Sequence, residues 1–246
     1  MALNDDLREQ VKAILDEPWE EREGQVVPRT SDVTHKNGAV KLDATFLYAD
    51  LAGSTQLQKS YKNTFAAKAI RMYLSGATTI IRKHGGSIKS FDGDRVMGVF
   101  VGSTMRNDAV KAAFAINWLV TQVINPLVKE RHEKSGTSVW VAEHGIGIDS
   151  GETFIARAGV RNKSGETNHN DLIFVGRAPN VAAKLSALRG TDAGPIVITH
   201  DVYSYLNEKQ KNYLNGSSGV WREGSKEDVG PHSLTLHRTD YWRKLS

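Results

Sequence analysis

Apolar side chains recur every three or four residues in four segments of the chain, a spacing that places them on one face of an α-helix. The pattern predicts helices over residues 4–16, 64–84, 107–124 and 179–188. Gly85 and Gly86 should end the second helix, Asn107 should cap the third, and Pro126 should break or kink the chain that follows it.

Between these helices lie apolar runs that have the length and the turn-residue borders of β-strands. They are residues 43–51, 87–91, 95–101, 139–149, 152–159, 171–176 and 195–199. Gly93 and Asp94 should form a tight hairpin turn, and Ser150 and Gly151 should separate the fourth run from the fifth. Two β-α-β units with a hairpin between them indicate an α+β fold with one mixed sheet and helices on one face.

The predicted elements also suggest how the chain is organised. We expect an N-terminal helix and linker over residues 1–40, a main domain over 41–215 and a polar and aromatic extension of that domain over 216–246. The N-terminal helix carries its apolar residues on one side and is too short to be stable alone. It should pack on the body of the protein or, with a slight preference, on a partner subunit.

Composition narrows the possible chemistry. The chain has 246 residues, of which 39% are hydrophobic and 24% charged, values typical of a globular protein with a substantial core. It contains no cysteine. The absence of cysteine excludes a disulfide scaffold, cysteine-ligated zinc, an iron–sulfur cluster and a thiolate nucleophile.

Charge and hydropathy bear on partners and location. The 32 Lys and Arg and the 28 Asp and Glu residues are interspersed and give a net charge of +4, so we expect no nucleic-acid partner. The first ten residues are acidic, unlike a signal peptide. The longest strongly apolar run, residues 96–101, is far shorter than the roughly 20 residues of a membrane span. We therefore expect a cytoplasmic protein with no membrane partner.

An acidic residue ends the first predicted strand. Asp50 follows an apolar run and precedes Ala52, Gly53, Ser54 and Thr55, a turn of small residues. The backbone N–H groups of such a turn can hold phosphate oxygens while the carboxylate holds the accompanying cation. The simpler alternative is an aspartate that caps the next helix.

A second carboxylate lies in the predicted hairpin turn. Asp94 follows Gly93 and would lie on a strand next to that of Asp50. An Asp-Gly turn needs no function, since both residues favour tight turns. Two neighbouring carboxylates repel each other, however, and a divalent metal ion or an arginine would relieve that repulsion.

A third segment opens the last predicted helix. Pro179 fits the first turn of that helix. Asn180 and Lys184 are four residues apart and share one of its faces. Taken alone, the pair is equally compatible with a solvated polar stripe.

In this order the three segments resemble the class III nucleotidyl cyclases. Asp50 and Asp94 match the metal-binding aspartates of the family patterns F-x-x-x-D-L-x-G-[ST] and G-D-x-x-M. Asn180 matches the asparagine that orients the ribose, and Lys184 replaces the transition-state arginine, keeping its charge but losing its bidentate fork. The resemblance covers about residues 43–200 and implies a ferredoxin-like core and a head-to-tail homodimer with active sites shared between subunits.

The purine-reading residues of that family are missing. Adenylate cyclases place a lysine and an aspartate where this chain has Ser90 and Ile173, and the Glu and Cys of guanylate cyclases are absent as well. Lys89 is one residue away from the lysine position, but strand alternation predicts that it points to the opposite face. Either the site is degenerate or its base is not a purine, and the retained aspartates argue against degeneration.

Two residues could close the pocket around a smaller base. Tyr48 shares a strand face with Asp50, Arg95 follows Asp94, and Ser90 is a further candidate contact. This arrangement resembles the pyrimidine cyclases of the Pycsar antiphage systems, which make cyclic UMP or cyclic CMP as alarm signals. The resemblance implies that UTP, ahead of CTP, is converted to the 3′,5′-cyclic monophosphate and pyrophosphate. A separate effector gated by the cyclic pyrimidine would read the product.

The same resemblance implies roles for the remaining residues. Asp50 and Asp94 would hold two Mg²⁺ or Mn²⁺ ions per site, with the Leu51 carbonyl as a further candidate ligand. The N–H groups of residues 52–55 would hold the phosphates, and Asn180 and Lys184 would act from the other subunit. The alternatives are an adenylate cyclase with an atypical adenine contact, such as Lys89 or Ser90, and an inactive nucleotide-binding module that regulates a partner.

Overall fold

The helices and strands alternate along most of the chain. The computed structural model describes residues 3–134, 140–160, 169–188, 194–213 and 218–245. The helices are α1 (Leu3–Asp16), α2 (Ser54–Ser60), α3 (Asn63–Lys83), α4 (Met105–Trp118), α5 (Asn125–Glu133), α6 (Arg177–Leu185), α7 (His200–Ser204) and α8 (Glu208–Lys211). The strands are β1 (Glu20–Glu23), β2 (Gly38–Leu51), β3 (Ser87–Asp92), β4 (Arg95–Phe100), β5 (His144–Val160), β6 (His169–Val175), β7 (Ile196–Thr199), β8 (Ser225–Val229) and β9 (His232–Thr239).

The four predicted helices and the predicted hairpin are present. The hairpin turns at Gly93, whose φ of 61° lies in the left-handed region that glycine adopts without strain. Pro126 lies in the first turn of α5, and a π-helical segment (Leu119–Ile124) joins that helix to α4. A wider turn before a proline is a common way for a helix to absorb the missing N–H group.

Three local predictions were wrong. Ser150 and Gly151 do not separate two strands, because β5 runs through them without a break. The strand also begins at His144, and not at residue 139 as predicted. Asn107 does not cap α4, which begins at Met105. The Asn107 side chain instead donates to the carbonyl oxygen of Tyr205 (3.2 Å) and accepts from the N–H of Asn207 (2.9 Å), so it joins α4 to the segment after α7.

The chain divides into two compact units. The first comprises residues 1–43 and 152–177. In it β1 pairs in parallel with the start of β2, and β6 pairs antiparallel with the end of β5. The Trp19 ring meets Phe154 edge to face with 5.1 Å between centroids, and Arg157 donates to the Asn170 side chain over 2.7 Å.

The second unit comprises residues 44–151 and 178–246 and contains the main core. Its strands follow the order β3-β4-β2-β5-β7-β9-β8. β5 and β7 are parallel, whereas β2 with β4, β3 with β4, β7 with β9 and β8 with β9 are antiparallel. The sheet is therefore mixed, as predicted, and the last two strands form a hairpin within the segment that the sequence pattern left unassigned.

Helices lie on both faces of this sheet, not on one as predicted. On one face, Leu47 of β2 and Ile148 of β5 pack with α3 and α4; we call it the helix face. On the other, Val197 of β7 packs with Val181 and Leu185 of α6. Because alternate residues of a strand point to opposite sides, the continuous apolar run of β7 serves both layers.

Gly147 of β5 sets the distance between α6 and the sheet. A Cβ atom at this position would overlap the Ala182 carbonyl oxygen and lie 2.5 Å from the N atom of Ser186, and backbone atoms cannot move aside as a side chain can. We expect Gly147→Ala to lower the free energy of unfolding by about 3 kcal/mol, measured by urea denaturation.

Gly151, on the same strand, provides the matched control. A Cβ atom there would meet only the Ala178 Cβ at 3.8 Å, an ordinary contact. Gly151→Ala should therefore change stability by less than about 1 kcal/mol. Equal effects of the two substitutions would show that α6 does not depend on close approach at Gly147.

The apolar side of α1 is exposed. None of its residues is buried, and Leu7, Val11 and Ile14 retain 50%, 64% and 69% of their accessible surface. The predicted apolar stripe on one side of α1 is confirmed, and it is solvent-exposed. Among the helices of the described segments, α1 included, none is long and apolar enough to cross a membrane.

Candidate active site

The two aspartates of the sequence motifs come from adjacent segments of the second unit. Asp50 lies near the end of β2, directly opposite Arg95 of β4. Asp94 lies in the β3–β4 turn, and its carbonyl oxygen accepts a hydrogen bond of 3.3 Å from the N–H of Leu51. The end of β2 and the hairpin turn are therefore held together, so both carboxylates belong to one corner of the sheet.

The donor set at this corner suits Mg²⁺ or Mn²⁺. Both side chains offer carboxylate oxygens, the ligand type these ions prefer. Within the described segments no group of three or more His, Asp or Glu side chains is placed to hold a metal ion. Magnesium sites that bind a nucleotide use one or two carboxylates and complete their coordination with phosphate oxygens. Asp50 and Asp94 fit that kind of site.

The candidate base-recognition residues lie in two cross-strand rows. Tyr48 pairs with Met97, and Met97 pairs with Ser90 of β3. In the next row Asp50 pairs with Arg95, and Arg95 with Asp92. Paired residues share a face and so do residues two apart, so all of them lie on the face opposite the helix face. We call it the site face.

Tyr48 and Arg95 are in direct contact. The guanidinium carbon of Arg95 lies 5.4 Å from the centre of the Tyr48 ring, within cation–π range. Burial raises the pKa of the Tyr48 hydroxyl, the Arg95 charge opposes that shift, and Asp92 adds to it. The hydroxyl therefore stays protonated at neutral pH and can both donate and accept a hydrogen bond.

Asp92 is a site residue that the sequence interpretation left without a role. Its Oδ2 accepts a hydrogen bond of 2.6 Å from Nη2 of Arg95, across the tight turn. Arg95 Nε is buried and has no hydrogen-bond partner within the described part of the chain. Asp92 thus fixes the direction of the guanidinium group. The sequence does carry a signal for this ion pair: an acidic residue lies three positions before an arginine, with a predicted turn between them.

The alternation argument against Lys89 does not hold. Ile88 pairs with Gly98, but the next regular pair joins Ser90 to Met97, so the register shifts at Lys89. An extra residue in one strand forms a β-bulge, which breaks the alternation of side chains. Ser90 remains in the row of Tyr48, as the strand pairing shows.

The candidate phosphate-binding turn follows β2. Gly53 adopts a left-handed φ of 68°, and α2 begins at the next residue. The N–H of Ala52 donates to the Glu143 carbonyl oxygen over 2.7 Å. The N–H groups of Ser54 and Thr55 lie in the first turn of α2, where no acceptor within the helix is in reach.

Asn180 and Lys184 lie on the exposed side of α6. The buried side of that helix is formed by Ala178, Pro179, Val181, Ala182 and Leu185. The Lys184 side chain lies beside the β8–β9 turn. Its Nζ is so close to Gly230 that a Cβ atom added there would be only 2.5 Å away. The sequence expectation of a shared polar face on this helix is confirmed.

The side of the sheet on which α6 lies follows from side-chain contacts. The hydroxyl groups of Thr45 and Ser150 are 3.0 Å apart, so these residues share a face, and alternation places both on the helix face. Gly147 lies three residues before Ser150 on the same strand, so alternation places it on the opposite face, the site face. There it lies under α6. Asp50 and α6 are thus on the same side of the second unit's sheet.

Sequence comparison identifies the family. The chain is 40% identical over 244 residues to the uridylate cyclase of Rhodovulum sp. (strain MB263), a match that covers 99% of this chain and 98% of the relative. The chain belongs to the uridylate cyclase family. The uridylate cyclase of Xanthomonas perforans is 37% identical over 245 residues and 99% of each chain. No protein-family model matches the sequence.

Comparison with solved structures shows the fold. The adenylyl cyclase CyaB from P. aeruginosa superimposes with a TM-score of 0.64 at 20% identity, covering 85% of this chain and 99% of the other. The guanylyl cyclase Cya2 gives a TM-score of 0.59 at 18% identity, covering 82% and 94%. This member of the uridylate cyclase family therefore has the class III cyclase fold, and the resemblance inferred from its three motifs is confirmed.

Proposed function

We propose that the protein is a homodimer that converts UTP to 3′,5′-cyclic UMP and pyrophosphate. Curated relatives that match over nearly their whole length are named uridylate cyclases. The observation that carries the proposal is the Tyr48–Arg95–Asp92 arrangement beside Asp50. It puts an aromatic ring and a guanidinium group that is paired with Asp92 beside the aspartate that would bind the cations.

The hydrogen-bond donors of Arg95 would favour uracil over cytosine. A guanidinium group has only hydrogen-bond donors. Uracil presents a carbonyl acceptor at position 4 of its ring, whereas cytosine presents an amino donor there. Arg95 would therefore pair with uracil and meet cytosine donor to donor. The Tyr48 hydroxyl and Ser90 would provide further polar contacts to the base.

Asp50 and Asp94 would hold the divalent cations, two per site, with the Leu51 carbonyl as a further candidate ligand. When bound, Mg²⁺ or Mn²⁺ supplies positive charge that lowers the pKa of the ribose 3′-hydroxyl and neutralises the triphosphate. The reaction forms a bond between the 3′-oxygen and the α-phosphorus, breaks the α–β phosphate bridge and releases pyrophosphate and the hydroxyl proton. The protein's task is to hold these atoms in line.

The turn after β2 would hold phosphate oxygens through the N–H groups of Gly53, Ser54 and Thr55. The N–H of Ala52 is engaged with Glu143 and would instead fix the position of the turn. Asn180 of a second subunit would orient the ribose, and Lys184 of that subunit would stabilise charge on the α-phosphoryl group. Their exposure on α6 leaves both side chains accessible to a partner.

A nucleotide panel tests the function. We expect purified protein with Mn²⁺ and separate ATP, GTP, CTP and UTP to yield cyclic UMP as the main product by mass spectrometry. The Asp50→Ala protein should yield none and controls for contaminating cyclases. Cyclic AMP as the main product would instead support an adenylate cyclase with an atypical base contact. No product from any nucleotide would support an inactive regulatory module.

Arg95→Ala should weaken the discrimination between pyrimidines. The loss of one charged hydrogen bond to the base predicts that the ratio of kcat/KM for UTP to that for CTP falls about tenfold or more. Both values are measured by product formation at several nucleotide concentrations. Asp92→Ala should lower the same ratio less, because Arg95 remains but is no longer held. An unchanged ratio in Arg95→Ala would remove Arg95 from base recognition.

The biological role is proposed from the resemblance to Pycsar cyclases. The product would be a second messenger in antiphage defence, made in the cytoplasm and read by a separate effector gated by the cyclic pyrimidine. Phage challenge of cells that carry the cyclase with and without Asp50→Ala tests this role. Equal sensitivity of the two strains would contradict it.

A further inference from the structure

The N-terminal segment differs in charge from the rest of the chain. Residues 3–23 carry eight acidic and three basic side chains, and the remaining residues carry 29 basic and 20 acidic ones. α1 lies within this acidic segment and has an exposed apolar stripe that contains Leu7, Val11 and Ile14. Its acidic residues, such as Glu9, occupy the other sides of the helix. α1 is therefore an acidic amphipathic helix with an exposed apolar side.

The second unit has an exposed groove of about 540 Å³ between α3 and α5. We call it the α3–α5 groove. Its apolar lining includes Phe65 and Met72 from α3, and Leu127 and Val128 from α5. Met72 and Leu127 retain 39% and 59% of their accessible surface. Large apolar side chains this exposed on two neighbouring helices are typical of a docking surface.

The rim of the α3–α5 groove is basic. Lys68, Arg131 and Lys134 line it together with one acidic residue, Glu130. Lys134 forms an ion pair with Glu130 (2.7 Å). The salt bridges found within the described segments leave Lys68 and Arg131 without such a partner. The groove thus combines an apolar floor with excess positive charge, the complement of α1.

The two surfaces also agree in length. The apolar stripe of α1 from Leu7 to Leu15 spans nine residues, which is about 12 Å of helix from the first Cα to the last. The α3 side of the groove, from Thr64 to Met72, spans the same number of residues. A helix laid along the groove would cover its apolar floor and place Asp6, which flanks the stripe, beside the basic rim.

We infer that α1 of one copy of the chain docks into the α3–α5 groove of a second copy. In a two-fold dimer each copy gives one helix and receives one, so the contact forms twice. Both surfaces are exposed in the single chain, and a second copy supplies the complement of each. The inference uses no active-site residue and does not depend on the proposed function.

The absence of cysteine allows a direct proximity test. Two full-length variants, Ile14→Cys and Leu127→Cys, are purified separately, mixed and treated with a short bis-maleimide. We expect a cross-linked dimer joining residue 14 of one chain to residue 127 of another, identified by peptide mass spectrometry. The yield of this cross-link should be at least about five times that from a mixture of Glu9→Cys and Leu127→Cys, because Glu9 lies on the polar side of α1.

Three results would overturn the inference. Yields equal to those of the Glu9→Cys mixture would show that α1 does not enter the groove. Efficient cross-linking of Ile14→Cys alone would show that α1 pairs with another α1. A variant that carries both Ile14→Cys and Leu127→Cys is treated in the same way. Cross-links found only within its single chains would show that α1 occupies the groove of its own chain.

Charge reversal separates docking from random collision. Lys68→Glu with Arg131→Glu, added to Leu127→Cys, should lower the specific yield about fivefold, since the acidic helix would then meet negative side chains instead of positive ones. The control reverses Arg82 and Lys129, exposed basic residues outside the groove lining, and keeps the same net charge. Equal yields from the two double reversals would refute charge complementarity as the basis of docking.

Discussion

Asp50→Ala and Asp94→Ala are each expected to abolish cyclase activity, with kcat reduced at least about 10³-fold. Each carboxylate would contribute charge and coordination to the cations that bind the triphosphate. Neither aspartate belongs to the buried core, so both variants should stay folded. Activity is measured with UTP and Mn²⁺, and stability by thermal unfolding.

Asp92 is the matched control for this experiment. It lies in the same cross-strand row as Asp50 and is also an aspartate beside the turn, but its carboxylate is paired with Arg95. Asp92→Ala should therefore reduce kcat far less than the other two substitutions and should alter base selection instead. Retained activity in Asp50→Ala or Asp94→Ala would exclude the proposed two-metal site. An equal loss in Asp92→Ala would show that any carboxylate at this corner is needed.

Mixing two inactive variants is expected to restore activity if the site is shared between subunits. Asp50→Ala and Asn180→Ala should each be inactive as homodimers. In a mixed dimer one of the two sites combines the intact Asp50 of one chain with the intact Asn180 of the other. Random pairing of equal amounts should then recover about a quarter of the wild-type rate, measured after the two chains are refolded together.

A second mixture shows whether the recovery has this origin. Asp50 and Asp94 lie at one corner of the same chain, so Asp50→Ala mixed with Asp94→Ala should recover nothing. Recovery in neither mixture would indicate that each site is built within a single chain. Recovery in both would indicate that the two aspartates of a site come from different chains.

Local pattern was sufficient for much of the fold and for the choice of candidate residues. Strand alternation alone put Tyr48 and Asp50 on one face, and the register with β4 confirms that they share it. The hairpin at Gly93 followed from turn chemistry, since a glycine there accepts a left-handed φ. Helical periodicity also gave α6 an exposed side with Asn180 and Lys184. All of these are properties of a few consecutive residues.

Other features depended on contacts between residues far apart in sequence. No local pattern distinguishes a strand break at Ser150 from the continuous β5, because the pairing of a strand with its neighbours decides its length. The bulge at Lys89 follows from the register against β4, and alternation within β3 could not reveal it. The contact of Arg95 with Tyr48 likewise required the pairing of β2 with β4.

The sequence by itself therefore determined the type of most elements, the faces of single strands and helices, and the aspartates and asparagine that match the cyclase motifs. Tertiary structure alone decided that helices cover both faces of the sheet, that α6 lies on the side of Asp50, and that Asp92 holds Arg95. The physical reason is range. Periodicity and turn chemistry act over a few residues, whereas strand order, register and layer packing arise from long-range burial and hydrogen bonding.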